Sequence, residues 1–223
     1  MIETYCSVID LGLIDYKKAY KAQLEFLMNR QLNEMSDALI LLEHPHVYTI
    51  GRLGSKSNLL INQRELKKKE IFVYEMDRGG DITYHGPGQL VAYPIMNLKL
   101  LNLRIIDYLR KLEESVIRFL EGFGVNSTRK EGLTGVWVRD KKIASIGIGI
   151  KKWVTYHGIS ININSDLDYF NLINPCGIRK LRMTSLASVL DKRIDMHSAK
   201  RTFIESFMEV FGFRCDGKIP ALD

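Results

Sequence analysis

The sequence predicts an α+β fold in which a mixed β-sheet is flanked by helices. Two observations lead to this prediction: strand-like segments come in clusters, and helix-like segments interrupt these clusters instead of alternating with single strands. The chain has 223 residues, 46% of them hydrophobic and 26% charged, which is ordinary for a globular protein with a substantial core. Because it has no internal repeat, low-complexity tract or linker-like stretch, we expect residues 1–223 to form a single domain.

Three segments have the apolar spacing of a helix with one buried face. The first follows Asp15, a residue type that caps helices well, the second ends near Gly122 and Gly124, and the third covers roughly residues 198–211. Their apolar positions are Tyr16, Tyr20, Leu24 and Leu27; Ile106, Leu109, Leu112, Val116 and Leu120; and Phe203, Phe207 and Phe211.

Strand-length segments fill much of the remaining chain. After an opening apolar segment at Tyr5–Leu11, the predicted strands are Ala38–Leu42, Val47–Ile50, Ile71–Met76, Leu90–Pro94, Gly135–Val138, Lys142–Ile150 and Val154–Asn162. Pro45 separates the first two of these strands, because proline cannot donate to a sheet ladder. We expect tight turns at Asp140-Lys141 and at Lys151-Lys152.

Composition limits the class of function. The formal charge of +6 and the pI of about 9.1 fit an acidic protein partner or a solvated basic surface. The basic residues are scattered apart from short runs such as Lys67–Lys69 and Arg179 to Arg182, and no recognition helix or RNA-binding motif accompanies them, so we expect no nucleic-acid partner. Apolar stretches are strand-length and no signal peptide is visible, so we expect no membrane contact and a cytoplasmic location.

The cysteines predict neither a disulfide framework nor a zinc site. There are three, Cys6, Cys176 and Cys215, which is an odd number without a C-x-x-C pair. Cys6 and Cys215 lie in apolar-rich segments and are expected to be small buried hydrophobes. Cys176 lies between a proline and a glycine, a context that favours a turn presenting its thiol.

A thiol is only a few per cent thiolate at neutral pH, so a reactive cysteine needs a nearby cation or base. His85 and His157 are candidates for this role. A lysine serves equally well, and Lys142 begins a predicted strand just past a turn, but residue chemistry alone does not favour it over Lys141 or Lys151.

The densest group of turn residues is the segment from Arg78 to Gln89, with four glycines and one proline in twelve positions. We expect no regular element here, and glycine lets backbone approach a ligand closely. Arg78, Thr83, Tyr84 and His85 would add donors and a stacking surface. The alternative is an ordinary loop, although a plain turn needs only one or two glycines. The spacing fits neither a P-loop nor G-x-G-x-x-G.

Several motifs then follow one another along the chain: Arg78-Gly79-Gly80-Asp81-x-Thr83-Tyr84-His85-Gly86-Pro87-Gly88-Gln89-Leu90-Val91-x-Tyr93-Pro94, Lys142-Ile143-Ala144-Ser145-Ile146-Gly147, His157-Gly158-Ile159-Ser160-x-Asn162, and Asn174-Pro175-Cys176-Gly177. Together they resemble the signature of the lipoyl(octanoyl) transferases, the lipoate-protein ligase B family. Each motif alone is only suggestive, whereas the set in this order is specific.

The resemblance implies a fold similar to the catalytic domain of biotin and lipoate ligases. It implies an acyltransferase that needs neither ATP nor a cofactor and moves octanoyl from octanoyl-acyl carrier protein to a lysine of lipoyl domains. The acceptors would be the E2 subunits of 2-oxoacid dehydrogenases and the glycine cleavage H protein. An ATP-dependent lipoate or biotin protein ligase of the same fold is the alternative. Asn-Pro-Cys-Gly would then have no role.

The resemblance also implies roles for single residues. Cys176 would carry the acyl group as a thioester, and Lys142 would assist it as a cation or as a neutral base. The acyl pocket would be lined by Arg78, Gly79, Gly80, Asp81, Ile82, Thr83, Tyr84, His85, Ser145, Ile146, Gly147, Gly158, Ile159 and Ser160. Since Gly147 and Gly149 alternate with isoleucines, we expect these glycines to leave space for an eight-carbon chain along one face of their strand.

Overall fold

The computed structural model describes residues 5–215, apart from the side chain of Cys215, so the expected burial of that side chain lies outside the described part. The strands are β1 (Tyr5–Leu13), β2 (Asp37–Glu43), β3 (Val47–Ile50), β4 (Phe72–Glu75), β5 (Ile82–His85), β6 (Gln89–Ile95), β7 (Thr128–Lys130), β8 (Leu133–Val138), β9 (Lys141–Lys151), β10 (Val154–Asn162) and β11 (Arg214–Cys215). The helices are α1 (Tyr16–Gln31), α2 (Gln63–Lys68), α3 (Ile105–Glu121), α4 (Leu186–Leu190) and α5 (Met196–Phe211).

Eight of the described strands form one mixed sheet, in the order β11-β1-β2-β6-β10-β9-β8-β7. The first three strands in this order run parallel to one another, and every later pairing, starting with β2 and β6, is antiparallel. Helices cover both faces of the sheet. The prediction of an α+β fold with a mixed sheet and flanking helices is therefore confirmed.

Alternating side chains of the central strands explain why both faces are covered. In β2, Leu39 and Leu41 pack on the side of α3 and α5, while Ile40 and Leu42 pack on the side of α1. All four are fully buried, as expected for a strand that reads as a continuous apolar run. Asp15 caps α1 as predicted, since its carboxylate accepts from the backbone N–H groups of Lys17 and Lys18.

A second, three-stranded sheet has the order β4-β3-β5 and its own apolar cluster. Its inner face packs against the segment before Cys176, because Tyr48 and Tyr84 contact a short 3₁₀ turn, Leu167–Leu172. The cysteine turn therefore lies between the small sheet on one side and the main sheet on the other.

Three local predictions were wrong. The segment Arg78–Gln89 was expected to form no regular element, but Ile82–His85 pairs with β3 as β5, since its alternation survives between the glycines. The two hairpin turns lie one residue away from their predicted places, at Arg139-Asp140 and at Lys152-Trp153. Arg139, Lys152 and Trp153 adopt left-handed backbone that residues of their type seldom adopt, and composition gave no sign of it.

Candidate active site

Cys176 lies in a single 3₁₀ turn, Pro175–Gly177, just after the small sheet's cluster. Its backbone is left-handed, with φ 57° and ψ 21°, and Gly177 follows with φ +71°. The Gly177 N–H donates to the Asn174 carbonyl at 2.9 Å, which closes the turn. The thiol is half-buried and lines a cavity. Proline and glycine thus flank a turn that presents the thiol, as the sequence suggested.

Lys142, the second residue of β9, lies against this thiol. Its Nζ is 3.2 Å from Cys176 Sγ and donates to the Thr134 carbonyl at 2.9 Å. It also lies over the Trp137 ring, 5.0 Å from the centroid, and only 4% of the lysine is exposed. Among the described residues no carboxylate forms a salt bridge with Lys142. Its polar contacts are thus a carbonyl, an aromatic face and the thiol.

Backbone pairing fixes the lysine relative to the cysteine turn. The Lys142 N–H donates to the Arg182 carbonyl and the Thr184 N–H donates to the Lys142 carbonyl, both at 2.9 Å. The chain leaving the cysteine turn therefore runs alongside the start of β9 like a short extra strand. This pairing explains why two residues 34 positions apart meet. It also identifies Lys142, and not Lys141 or Lys151, as the lysine beside the thiol, a choice that residue chemistry alone left open.

Gly135 in β8 makes room for the lysine. A Cβ at this position would lie 2.5 Å from Lys142 Cε and 2.6 Å from the Ala144 carbonyl oxygen. The Gly135 N–H donates to Glu113 of α3, a carboxylate that is fully buried and also binds Arg110 and Arg129. The peptide between Thr134 and Gly135 is thus held at both ends: its carbonyl binds Lys142 and its N–H binds Glu113.

Arg78 forms another wall of the site. It is 7% exposed, and its guanidinium donates to the Thr49 hydroxyl and carbonyl and to the Gly79 carbonyl, at 2.6–3.1 Å. Burial lowers the pKa of Arg78, since desolvation disfavours its charge. The Gly79 N–H donates to the Ile148 carbonyl at 2.8 Å, which attaches this loop to β9. A buried cation without a carboxylate ion pair among the described residues therefore faces the cavity.

The cavity has a volume of about 390 Å³ and extends from the Lys142–Cys176 contact across β9 and β10. All predicted pocket residues except Tyr84 line it: Arg78, Gly79, Gly80, Asp81, Ile82, Thr83, His85, Ser145, Ile146, Gly147, Gly158, Ile159 and Ser160. Tyr84 belongs to the opposite face of β5, where it is fully buried against Tyr48 and Tyr169 and its hydroxyl binds His46. Strand alternation separates it from Thr83 and His85.

The expected space along the glycines of β9 is partly filled. A Cβ at Gly149 would lie 2.5 Å from the Tyr156 ring, so this ring occupies the glycine's place. A Cβ at Gly147 would lie 2.7 Å from the Gly79 carbonyl oxygen. The expectation was therefore wrong for Gly149, and at Gly147 the missing side chain allows the Arg78–Gly79 loop to approach the strand.

Aromatic and imidazole rings surround the end of the cavity near Tyr16. His85 is 6% exposed and its Nδ1 lies 2.7 Å from Gln89, while His157 donates through Nε2 to Asp77 at 3.0 Å. Burial lowers the pKa of both histidines, and also lowers the pKa of His44 to about 4. The bond from His157 holds the pKa of Asp77 well below its usual range. Neither histidine contacts Cys176, and both are neutral at neutral pH.

Sequence reasoning missed Thr134, Gly135, Trp137 and Asn58. The first three belong to the strand preceding the Asp140 turn, and their contact with Lys142 follows from strand pairing that only the fold specifies. A glycine followed by Val136 and a tryptophan in a predicted strand was the one available signal, since glycine in a strand often marks a close approach. Asn58 contacts both Asp81 and Asn174.

In the range 5–215, no group of three or more histidine, cysteine or acidic side chains is placed to hold a metal ion. No helix in that range is long and apolar enough to cross a membrane.

Comparisons with known proteins agree with one another. A family model described as "Lipoyl protein ligase A/B catalytic domain" matches residues 15–208. An octanoyltransferase of Thermoanaerobacter sp. (strain X514) is 45% identical over 206 residues, which covers 92% of this chain and 90% of the relative.

Solved structures add the fold alone, because their identities are low. A bi-partite lipoate protein ligase of Thermoplasma acidophilum superposes with a TM-score of 0.73 at 16% identity, covering 96% of this chain and 87% of that one. A biotin protein ligase of Aquifex aeolicus, in complex with biotin and ATP, gives a TM-score of 0.55 at 16% identity, covering 92% and 70%.

Proposed function

Since the chain belongs to the octanoyltransferases, acyltransferases of protein lipoylation with the lipoyl protein ligase A/B catalytic domain, we propose that it works through an octanoyl thioester on Cys176. The donor is octanoyl-acyl carrier protein. The acceptor is a lysine of a lipoyl domain, in E2 subunits of 2-oxoacid dehydrogenases or in the glycine cleavage H protein.

The observation that carries this proposal is the 3.2 Å contact between Lys142 Nζ and Cys176 Sγ at a cavity. The Thr134 carbonyl and the Trp137 face both favour a positive charge on Nζ. A buried ammonium beside a thiol favours the thiolate, which is the nucleophilic form. We therefore propose that Lys142 and Cys176 react as an ammonium–thiolate pair.

In the first half-reaction the Cys176 thiolate attacks the thioester carbonyl of the donor. A new S–C bond forms, the bond from the acyl carbon to the carrier sulfur breaks, and the carrier thiolate takes a proton from Lys142. The products are octanoyl-Cys176, a neutral lysine amine and a carrier thiol. Exchange between two thioesters is nearly isoenergetic, so this step needs no ATP.

In the second half-reaction the neutral amine of the acceptor lysine attacks octanoyl-Cys176. An amide bond forms, Cys176 leaves as a thiolate, and the proton lost by the attacking amine passes to Lys142. This step restores the ammonium–thiolate pair, so Lys142 gives up one proton and regains one in each turnover. The Gly177 N–H already donates to the Asn174 carbonyl, so it is not available to the oxyanion of the tetrahedral intermediate. Lys142 is left as a donor that stabilises this oxyanion.

The cavity suits an acyl chain of moderate length. Its volume of about 390 Å³ is within the ~300–1,000 Å³ typical of small-molecule sites. Leu109, Leu133, Ile146 and Ile178 contribute apolar walls. Burying the chain would contribute about 0.8 kcal/mol per methylene, which supports binding of octanoyl over shorter groups.

The alternative is an ATP-dependent lipoate or biotin protein ligase. Both reactions fit the fold, so the cysteine decides between them. An adenylate route leaves the Lys142–Cys176 contact without a role, whereas a thioester route uses both residues.

A single mass-spectrometric experiment tests the proposal. The protein is incubated with octanoyl-acyl carrier protein in the absence of ATP, and we expect an octanoyl adduct mapped to Cys176 that disappears when a lipoyl domain is added. Cys176→Ala should give no adduct and no transfer. Cys6→Ala, at a fully buried position away from the cavity, is the matched control and should keep both. Full turnover by Cys176→Ala would contradict the covalent route.

Net charge supports acidic protein partners. At +6 the chain should attract an acidic carrier over a Debye length of ~8 Å at physiological salt. Arg179 and Lys180 follow Cys176 and are exposed, whereas Arg182 is paired with Asp140. We therefore assign the attraction chiefly to the first two.

A salt series tests this assignment. The second-order rate with the protein-bound donor should fall as salt rises, and this slope should flatten in Arg179→Ala/Lys180→Ala. The matched control neutralises Lys67 and Lys68 on α2, outside the cavity lining. Equal slopes for the carrier-bound donor and for a small neutral octanoyl thioester would show that the basic surface is only solvated.

A further inference from the structure

The backbone of Cys176 is held in an unfavourable conformation. Left-handed geometry is unfavourable for a residue with a Cβ, and such strain persists only where surrounding contacts over-determine it. Pro175 restricts one side of the turn, and the Gly177–Asn174 bond closes it. Further contacts must also fix the position of the whole turn relative to the rest of the protein.

Asn58 makes the contacts that do so. Its carbonyl accepts from the Asn174 N–H at 2.8 Å, and its side-chain oxygen accepts from Asn174 Nδ2 at 3.3 Å. The neighbouring residues continue this pairing, since the Leu60 N–H donates to the Leu172 carbonyl. Asn58 is thus bonded twice to the residue that begins the cysteine turn.

Asp81 completes the arrangement from the glycine-rich loop. Its Oδ2 accepts from Asn58 Nδ2 at 2.8 Å, and its Oδ1 accepts from the Ile82 N–H at 2.5 Å. The same Oδ2 lies directly under Gly177, where a Cβ would come within 2.5 Å of it. Both carboxylate oxygens are therefore engaged within the protein, one of them beneath the cysteine turn.

We propose that Asn58 and Asp81 are positioning residues: their bond fixes the Asn174–Gly177 turn so that Cys176 Sγ stays in contact with Lys142. The inference rests on the proposed function of Cys176 and Lys142. It gives Asp81 a task distinct from acyl binding. It also adds Asn58, which does not line the cavity, to the residues on which reactivity depends.

Alkylation of Cys176 by iodoacetamide tests the pair without any octanoyl chemistry, so its failure is distinguishable from failure of the proposed function. Asn58→Asp places two carboxylates together and Asp81→Asn places two amides together, and each should slow alkylation at neutral pH by roughly tenfold. The exchanged double variant, Asn58→Asp/Asp81→Asn, restores one acceptor facing one donor and should recover most of the rate. At high pH, where every thiol is ionised, the four proteins should converge.

Asn62→Ala is the matched control, because Asn62 caps α2 through its side chain and touches no residue of the site. Mapping by mass spectrometry reports on folding in the same sample, since the fully buried Cys6 should stay unmodified in every variant. Wild-type alkylation in Asn58→Asp, or a double variant slower than either single variant, would overturn the proposal. If Cys6 becomes reactive in a single variant, the comparison moves to Asn58→Ser, which should show the same slowing with Cys6 protected.

Discussion

Replacing Lys142 tests the ammonium–thiolate pair most directly. Its Nζ lies 3.2 Å from Cys176 Sγ, and the lysine is 4% exposed, so solvent barely screens the interaction. A hydrogen bond involving a charged group contributes about 1.5–3 kcal/mol, and tenfold in rate corresponds to about 1.4 kcal/mol. Lys142→Ala should therefore alkylate at Cys176 roughly 10- to 150-fold more slowly at neutral pH and lose most transfer activity.

The assay is the rate of iodoacetamide modification at Cys176 from neutral to strongly alkaline pH. Lys142→Met keeps an unbranched apolar side chain packed near Trp137. It should slow the reaction as much as Lys142→Ala, because both substitutions remove the positive charge. Lys130→Ala is the matched control: Lys130 also lies over the Trp137 ring, 5.8 Å from its centroid, and does not contact the thiol. A wild-type rate for Lys142→Ala would refute the pair and leave Lys142 only the proton transfers of the two half-reactions.

Three further perturbations have defined outcomes. Gly135→Ala should displace Lys142 and cost about 1–3 kcal/mol of unfolding free energy by overpacking, as measured by urea titration. Gly124 has the same kind of strained φ but open space around it, so Gly124→Ala should keep full activity. Gly147→Val should push away the Gly79 carbonyl and shift preference towards shorter acyl thioesters in a chain-length series, and an unchanged preference would mean that the acyl chain lies elsewhere. The buried, neutral His44 has a pKa of about 4 against 6.5 when unfolded, so its contribution is complete above pH 6.5 and is lost as pH falls towards 4. His44→Gln should remove about 2 kcal/mol of the difference in unfolding free energy between pH 7 and pH 5, and an unchanged difference would contradict this assignment.

Elements with a regular apolar pattern were predicted well, because the spacing of apolar residues shows which side chains are buried. The helix after Asp15 and the strands β3 and β10 lie at their predicted places. Sequence reasoning missed α2, although Asn62 and Glu65 form a capping box with the S/T/D/N-x-x-E spacing, because that helix is polar and short. It also missed β7, which consists of polar residues and is specified by pairing with β8.

The site was predictable only in part, for the same physical reason. Lys142 and Cys176 were predicted as partners only through the resemblance of their motifs to a known family. The contact itself arises from pairing between the segment around Met183 and the start of β9, which the sequence does not reveal. The residues that surround this contact, such as Trp137 and Asn58, are ordinary in composition. Their importance lies in geometry that depends on which strands become neighbours, and local sequence does not encode that order.

The pairing of β1 with β11 has a consequence for synthesis. Tyr5 and Cys6 lie opposite Arg214 and Cys215, so the start of β1 at this edge of the main sheet pairs with almost the last described residues of the chain. While the protein is being synthesised, the start of β1 lacks this neighbour until residues 214 and 215 are made, and an exposed strand edge is a template for pairing with other chains. A nascent chain stalled before Arg214 would therefore expose this edge, although every residue around Cys176 had already been synthesised.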